Sequence, residues 1–273
     1  MLRLAEGIIA DTTLVACLAG MYQYSITLKA LNPGLQCASL RNADYGQVQE
    51  WLGAVNDMDA LDRSFKAEAS GAYQNYSHFK HQATGKGGKD LGVTLGYGPL
   101  MTLVWRIAPR NWIEANNAFA LTNNLVLCGN GGEESWRGIR SAVPGVARKI
   151  EAAASLFSVG LIDVPNPRRI IGCISFPHVS GVWEKAAENL FYRRCAILTC
   201  AMHRHRLAHG GFPEELANLD AAFLQEPMKD PAKAGALLNY RKTERGFLLW
   251  SVGEDRNDDG GDAAKDWIWR HER

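Results

Sequence analysis

The sequence predicts an α+β protein: a mainly helical N-terminal region, then one long helix, then a small antiparallel β-sheet. Three observations carry this prediction. Apolar residues recur at steps of three and four through several segments as far as His209. Beyond Gly210–Gly211 the texture changes. "LLNYRK" (237–242) and "GFLLWS" (246–251) read as strands joined by a tight turn, and "DWIWR" (266–270) alternates as a third strand would. Helices first and strands last is an α+β order. The chain has 273 residues, room for one large domain or two modest ones. The division expected is a helical domain over 1–175 and a module of long helix and sheet over 176–273.

The elements follow in order. Residues 2–31 read as a long apolar helix stopped by "NPG" at 32–34. Asp44 opens a second helix, with Gln47 in capping-box position. Val48, Leu52, Val55, Met58, Leu61 and Phe65 give that helix one apolar face. "QATGKGGKDLG" at 82–92 is a loop by composition. Trp112, Ala115, Phe119, Thr122 and Val126 mark a third helix, ended by "CGNGG" at 128–132. A fourth is expected from Val146 to Val159, before "DVPNPRR" at 163–169, whose prolines forbid a helix in its middle. The long helix runs from Ser180 to His209, with Trp183, Ala187, Leu190, Cys195, Leu198, Ala201 and His205 as its stripe, and Gly210–Gly211 ends it.

Composition narrows the function classes. Hydrophobic residues are 47% of the chain, enough for a packed core. The net charge is +1, without the basic excess that phosphate backbones demand, so nucleic acid is not an expected partner. The six cysteines are scattered without a CxxC, which points to buried thiols. Residues 12–28, "TTLVACLAGMYQYSITL", carry no charge and approach the length of a membrane span, about 20 apolar residues. Thr12, Thr13, Gln23 and Ser25 dilute the stretch, which favours a buried helix over a membrane segment. "LVAC" at 14–17 has the form of a lipoprotein processing box, but Glu6 and Asp11 interrupt the apolar run that a signal requires. A further expectation is that the chain begins downstream of a membrane anchor.

The sharpest chemistry lies in "DRNDDGGDAAKD" (255–266), where five of twelve residues are acidic. Calcium is a hard cation that takes about six to eight oxygens, supplied in a known loop by alternate positions with a glycine at the sharp turn. Asp255, Asn257 and Asp259 fall at the first, third and fifth positions, Gly260 at the sixth and Asp266 at the twelfth. The carbonyl of Gly261 serves the seventh. Asp266 stands where a longer glutamate is usual, which lowers affinity. Asp258 and Asp262 are additional candidate ligands. Crowding five carboxylates in one turn creates repulsion that a cation relieves. The flanks read as strands, so the expected site is a calcium clip between strands. The rival reading is a turn that water alone solvates.

Other constellations carry less. The glycine loop at 82–92 fails as a phosphate loop: Ala83 stands at the first glycine and Asp90 at the hydroxyl position, so no nucleotide is expected. His205 and His209 share a helical face in "MHRHRLAHG", but Arg206 stands where a zinc protease has glutamate. Histidine and arginine there suit the negative end of a helix. No Gly-x-Ser-x-Gly elbow is present. The eight tryptophans read as core and interface anchors.

The segment from Arg206 to Asp266 resembles the globular end of the G-type major pseudopilin of type II secretion. In that family a long helix ends in a His/Asn-Gly-x-Tyr-Pro turn. A short helix, a "P.DP" turn, a hairpin and an acidic calcium loop follow. The counterparts here are His209-Gly210-Gly211-Phe212-Pro213, Leu216 and Leu219, Pro227 with Asp230-Pro231, Tyr240, and Ser251-Val252-Gly253-Glu254-Asp255. The resemblance implies calcium ligation, for which Asp255 and Asp266 match best. The apolar N-terminal filament helix of the family has no match in the polar helix at 180–209. The whole chain resembles larger uncharacterised planctomycete and verrucomicrobial proteins that fuse a helical region to this module. "GQVQEWLGAVNDMDALDRSFKAEASGAY" (46–73) and the closing "DWIWR" carry that likeness.

The expected function is that of a non-enzymatic scaffold or interaction protein, bacterial and extracytoplasmic or membrane-associated. It has protein partners at the cell envelope and a calcium-stabilised C-terminal module. One alternative is an enzyme with its site between the helical region and the sheet. Another is a structural subunit of a secretion system or pilus-like assembly.

Overall fold

The computed structural model describes residues 13–37, 40–56, 58–67, 69–70, 156–159, 162–165 and 180–272, with scattered positions between 114 and 152. This described part is α+β. Helix α1 spans Leu14–Cys37 and α2 spans Asn42–Gly53; strands β1 (Leu156–Val159) and β2 (Ile162–Pro165) follow. Helix α3 spans Ser180–His209, a short 3-10 turn covers Leu216–Asn218, and β3 (Asn239–Thr243), β4 (Gly246–Ser251) and β5 (Trp267–Glu272) close the chain. One compact unit combines 15–60 with 181–273, and a second is built on 61–180. Helices α1 and α2 thus share a unit with α3 and the second sheet.

Helix α1 does not stop at "NPG". It runs through Pro33 to Cys37. Pro33 removes one helical hydrogen bond, but the last turn is held by tertiary contacts that offset the loss. Leu35 is buried against Tyr45 and Cys200. Asn32 and Gln36 donate their side-chain amides to the Arg270 carbonyl of β5, at 2.7 and 3.3 Å. Residues 2–12 of the predicted helix lie outside the described residues.

Helix α2 begins two residues before Asp44, so Asp44 is not the cap but sits one turn in. Its carboxylate accepts the Arg41 amide at 2.9 Å, closing the first turn from inside. The predicted single helix from 44 to 65 is broken: α2 ends at Gly53 and helix resumes from Met58. Asn56 explains the restart. Its side-chain oxygen accepts the Asp59 amide at 3.3 Å, an N-cap bond that begins a new helix. Arg193 of α3 then donates to the Val55 carbonyl left in the gap.

The described positions of the third predicted helix, 114–115, 118–119 and 121–122, are helical. The fourth departs from expectation. Residues 144–146 and 148–149 are helical, but Leu156–Val159 is a strand paired antiparallel with Ile162–Pro165. Val159 pairs with Ile162 and Leu156 with Pro165, so the two strands form an antiparallel ladder. The alanine-rich run before it masked this hairpin. The loop at 82–92 and the glycines at 129–132 lie outside the described residues.

Helix α3 matches its predicted bounds. Gly210 ends it at φ +83° and donates its amide to the Arg206 carbonyl at 2.8 Å. Its middle is buried on several faces: Trp183, Phe191, Cys195, Leu198, Cys200, Ala201 and His203 all lie inside. Each large side chain so buried contributes about 1.5–3 kcal/mol of transfer free energy. The second sheet has order β3-β4-β5, all antiparallel. Central β4 is buried along its whole length. Trp269 of β5 donates its indole to the Thr199 hydroxyl of α3 at 2.9 Å. The α1–α3 contact includes a bond from Asn189 to the Met21 carbonyl at 2.8 Å.

Helix α1 is long and apolar enough to cross a membrane by length and composition, although 39% of that window is buried within the fold. Its inner side, with Cys17, Met21, Tyr24 and Leu28, is fully buried, while Val15, Tyr22 and Ile26 stay exposed.

Candidate functional site

The acidic loop hangs between β4 and β5. Its root is set by Asp230, a fully buried carboxylate in the turn before β3. Asp230 accepts the Ser251 hydroxyl at 2.6 Å, the Ala232 amide at 2.7 Å and the Val252 amide at 3.3 Å. The end of β4 is thereby tied to the "DP" turn. At Gly253 the chain takes a φ of +63°, and a Cβ there would lie 2.6 Å from the Lys265 carbonyl. Only glycine fits so close an approach of the two arms of the loop.

Within the loop the aspartates shape the backbone. Asp255, Asp258 and Asp262 each accept the amide two residues on, from Asn257, Gly260 and Ala264, all at 3.0 Å. These are three successive Asx turns. Asp258 also accepts the Trp250 indole at 2.8 Å. That bond first, and the Gly260 amide second, hold its carboxyl below the ordinary aspartate range. Asp259 pairs with Lys265 at 2.9 Å, a contact that raises the lysine above its usual value. Asp266 is 4% exposed. Its Oδ2 accepts the amides of Gly261 at 2.8 Å and Asp262 at 3.2 Å.

Two oxygens are left over. Asp259 Oδ2 and Asp266 Oδ1 are buried and receive no hydrogen bond. A buried acceptor without a partner costs about 1–3 kcal/mol, more when charged. These orphans belong to the predicted fifth and twelfth ligand positions. The remaining predicted side-chain ligands have other settings. Asp255, Asn257 and Asp262 are exposed, and Asp258 is engaged by Trp250. Among the described residues no three His, Cys, Asp or Glu side chains are arranged to hold a metal ion. The loop in this conformation therefore does not close Asp255, Asp259 and Asp266 on one point. It leaves one oxygen of Asp259, whose other oxygen pairs with Lys265, and one oxygen of Asp266 without a hydrogen bond.

The remaining titratable groups have other settings. His205 and His209 stack at 4.2 Å between ring centroids, and burial, then the His209 charge, lowers His205 below the ordinary histidine value. Cys17, Cys195 and Cys200 are buried and outside any disulfide. Burial raises Cys195 well above its usual value and Cys200 to about 12, so neither supplies a thiolate near neutral pH. Two features escaped the sequence reading. One is Asp230, visible there only as part of a "DP" turn. The other is a buried pair, His203 and His271, 68 positions apart. Strand alternation, which puts 269 and 271 on one face, was the available signal.

Comparison with protein-family models, curated proteins and solved structures returns no match.

Proposed function

We propose that this chain is a non-enzymatic, envelope-associated scaffold or interaction protein whose pseudopilin-like C-terminal module binds calcium in the 255–266 loop. The observation that carries the reading is the pair of orphaned, buried carboxylate oxygens, Asp259 Oδ2 and Asp266 Oδ1. Nothing in an apolar core satisfies a carboxylate oxygen; a hard cation does. Asp266 and Asp259 are the side chains that would hold the ion. Asp255, Asn257 and the Gly261 carbonyl would complete its shell from the same loop, with Asp258 and Asp262 as further oxygens. The bound ion would take the place of the Lys265 ammonium beside Asp259.

Such an ion fastens the start of β5 to the end of β4 and completes the sheet. A single weak site suits the calcium levels outside the cytoplasm. The apolar helix α1 is compatible with a place at the envelope. The test is thermal melting of the full chain in chelator and in millimolar calcium. Calcium that binds only the folded form raises the melting temperature with concentration. Magnesium at equal concentration gives a smaller shift. An identical melting temperature in both solutions removes the reading.

A further inference from the structure

The second sheet ends differently at its two edges. β4 lies in the centre, between β3 and β5. On the β5 edge the Arg270 carbonyl accepts the side-chain amides of Asn32 and Gln36, so α1 covers that edge. β3 is the opposite edge. Thr243 pairs with Gly246 across the tight turn Glu244-Arg245. A tight turn closes with a bond between its outer residues, and bonded residues alternate along an antiparallel strand. Asn239, Arg241 and Thr243 therefore bond to β4, while Tyr240 and Lys242 turn their backbone N–H and C=O outward. The opposite edge follows the same alternation. Leu248 pairs with Arg241 on one side and Arg270 on the other, which turns Arg270 outward to α1.

Just before β3 the chain itself uses this outer row. The Leu238 amide donates to the Met228 carbonyl at 3.0 Å, and the Asp230 amide donates to the Ala236 carbonyl at 2.8 Å. That short ladder stops at Leu238. Among the described residues nothing outside β4 bonds to the backbone of Asn239–Thr243. The row continues through Tyr240 and Lys242 without a partner strand. The open edge is also basic. Arg241, Lys242 and Arg245 are exposed on the strand and its turn, and Lys229 is exposed at the end of the short ladder. The carboxylates beside them are Glu244 in the turn and Glu214, which pairs with Lys242. Cations outnumber carboxylates along this edge. Arg241 is steadied by Trp250, with its guanidinium 5.5 Å from the ring centre.

We propose that the open edge of β3 takes an extended acidic segment of a partner protein as a fourth strand, paired through the backbone of Tyr240 and Lys242. The proposal adds a surface to the interaction role described above and makes no use of the calcium loop. In strand addition the main-chain bonds supply affinity, and side chains at alternate positions supply specificity. Arg241 and Lys242 stand on opposite faces of β3. A segment with carboxylates on both faces meets a cation on each. Leu237, 51% exposed, shares the Arg241 face and offers an apolar contact at the end of the strand. A second copy of this chain fits less well. The register that pairs Tyr240 with Lys242 of another copy sets the two Arg241 side chains opposite each other, and like charges so placed are destabilising. Cations on an edge strand oppose pairing with their own kind and admit the opposite charge.

The experiment is fluorescence anisotropy of a labelled peptide, glutamate alternating with valine, titrated with the full chain at low salt. Chelator is present throughout, so the result is independent of the calcium loop. One control peptide carries lysine for glutamate. Another carries proline for valine, which keeps the charge and removes the strand's amides. The acidic peptide is expected to bind about tenfold or more tightly than either control. Its binding slows amide exchange at Tyr240 and Lys242. Lys242→Pro removes one outward N–H where an edge strand tolerates proline. It is expected to weaken binding more than Lys242→Ala, which removes the charge alone. Should Lys242→Pro fail to fold, amide exchange in the unaltered chain decides. No binding of the acidic peptide, equal binding of the proline control, or unchanged exchange at Tyr240 and Lys242 overturns the proposal. So does a dimer in sedimentation that Lys242→Pro dissolves, which would give the edge to a second copy.

Discussion

Asp230 and Asp266 are the same residue type, almost equally buried, at the same end of one sheet, yet their surroundings differ. Both oxygens of Asp230 are used, by a hydroxyl and two amides. Asp266 places two amides on one oxygen and nothing on the other. The turn around Asp230 is complete in itself. The loop that ends in Asp266 is complete only with something added. Burial and charge alone do not separate the two cases; a count of bonds to each oxygen does.

The comparison is broken most sharply by removing Asp230. Asp230→Ala strands the Ser251 hydroxyl and two buried amides. It is expected to cost about 3 kcal/mol or more, equally with and without calcium, read from urea denaturation. Gly253→Ala forces a Cβ against the Lys265 carbonyl at a φ that favours glycine, with an expected cost of about 2 kcal/mol by the same assay. Lys265→Met removes the ammonium that competes for Asp259. Because the pair is exposed, calcium affinity is expected to rise only about threefold, measured by calorimetry at low salt. The smallest effect concerns Asp258. Its lowered carboxyl contributes stability that is present above the unfolded value, about 3.9, and is lost as pH falls through the folded value. Asp258→Asn is expected to flatten that acid limb slightly in chelator, followed by tryptophan fluorescence.

Much of the C-terminal unit was legible in the sequence because its signals are local. Helix α3 has a strong period and a glycine stop, and the two hairpin strands flank a tight turn. The N-terminal errors share a cause. Pro33 and "NPG" signal a stop, but Asn32 and Gln36 are held by Arg270, 238 and 234 positions away, and Leu35 packs with Tyr45 and Cys200. Asn56 split a helix whose apolar face ran on unbroken. At the candidate site the sequence placed five carboxylates in one loop between two strands. It could not say that Asp255, Asp258 and Asp262 fold onto their own backbone, or that Lys265 reaches Asp259. The His203–His271 pair was invisible for the same reason that Asp230 was: its meaning lies in what the fold brings to it.

The most direct test compares Asp266→Asn with the unaltered chain in paired melts, with chelator and with calcium. The asparagine keeps an oxygen for the Gly261 and Asp262 amides and removes the buried charge. The account predicts that the chelator melting temperature is unchanged or slightly raised, and that the calcium-induced rise disappears. A calcium-induced rise that survives intact in Asp266→Asn, or its absence from the unaltered chain, contradicts it.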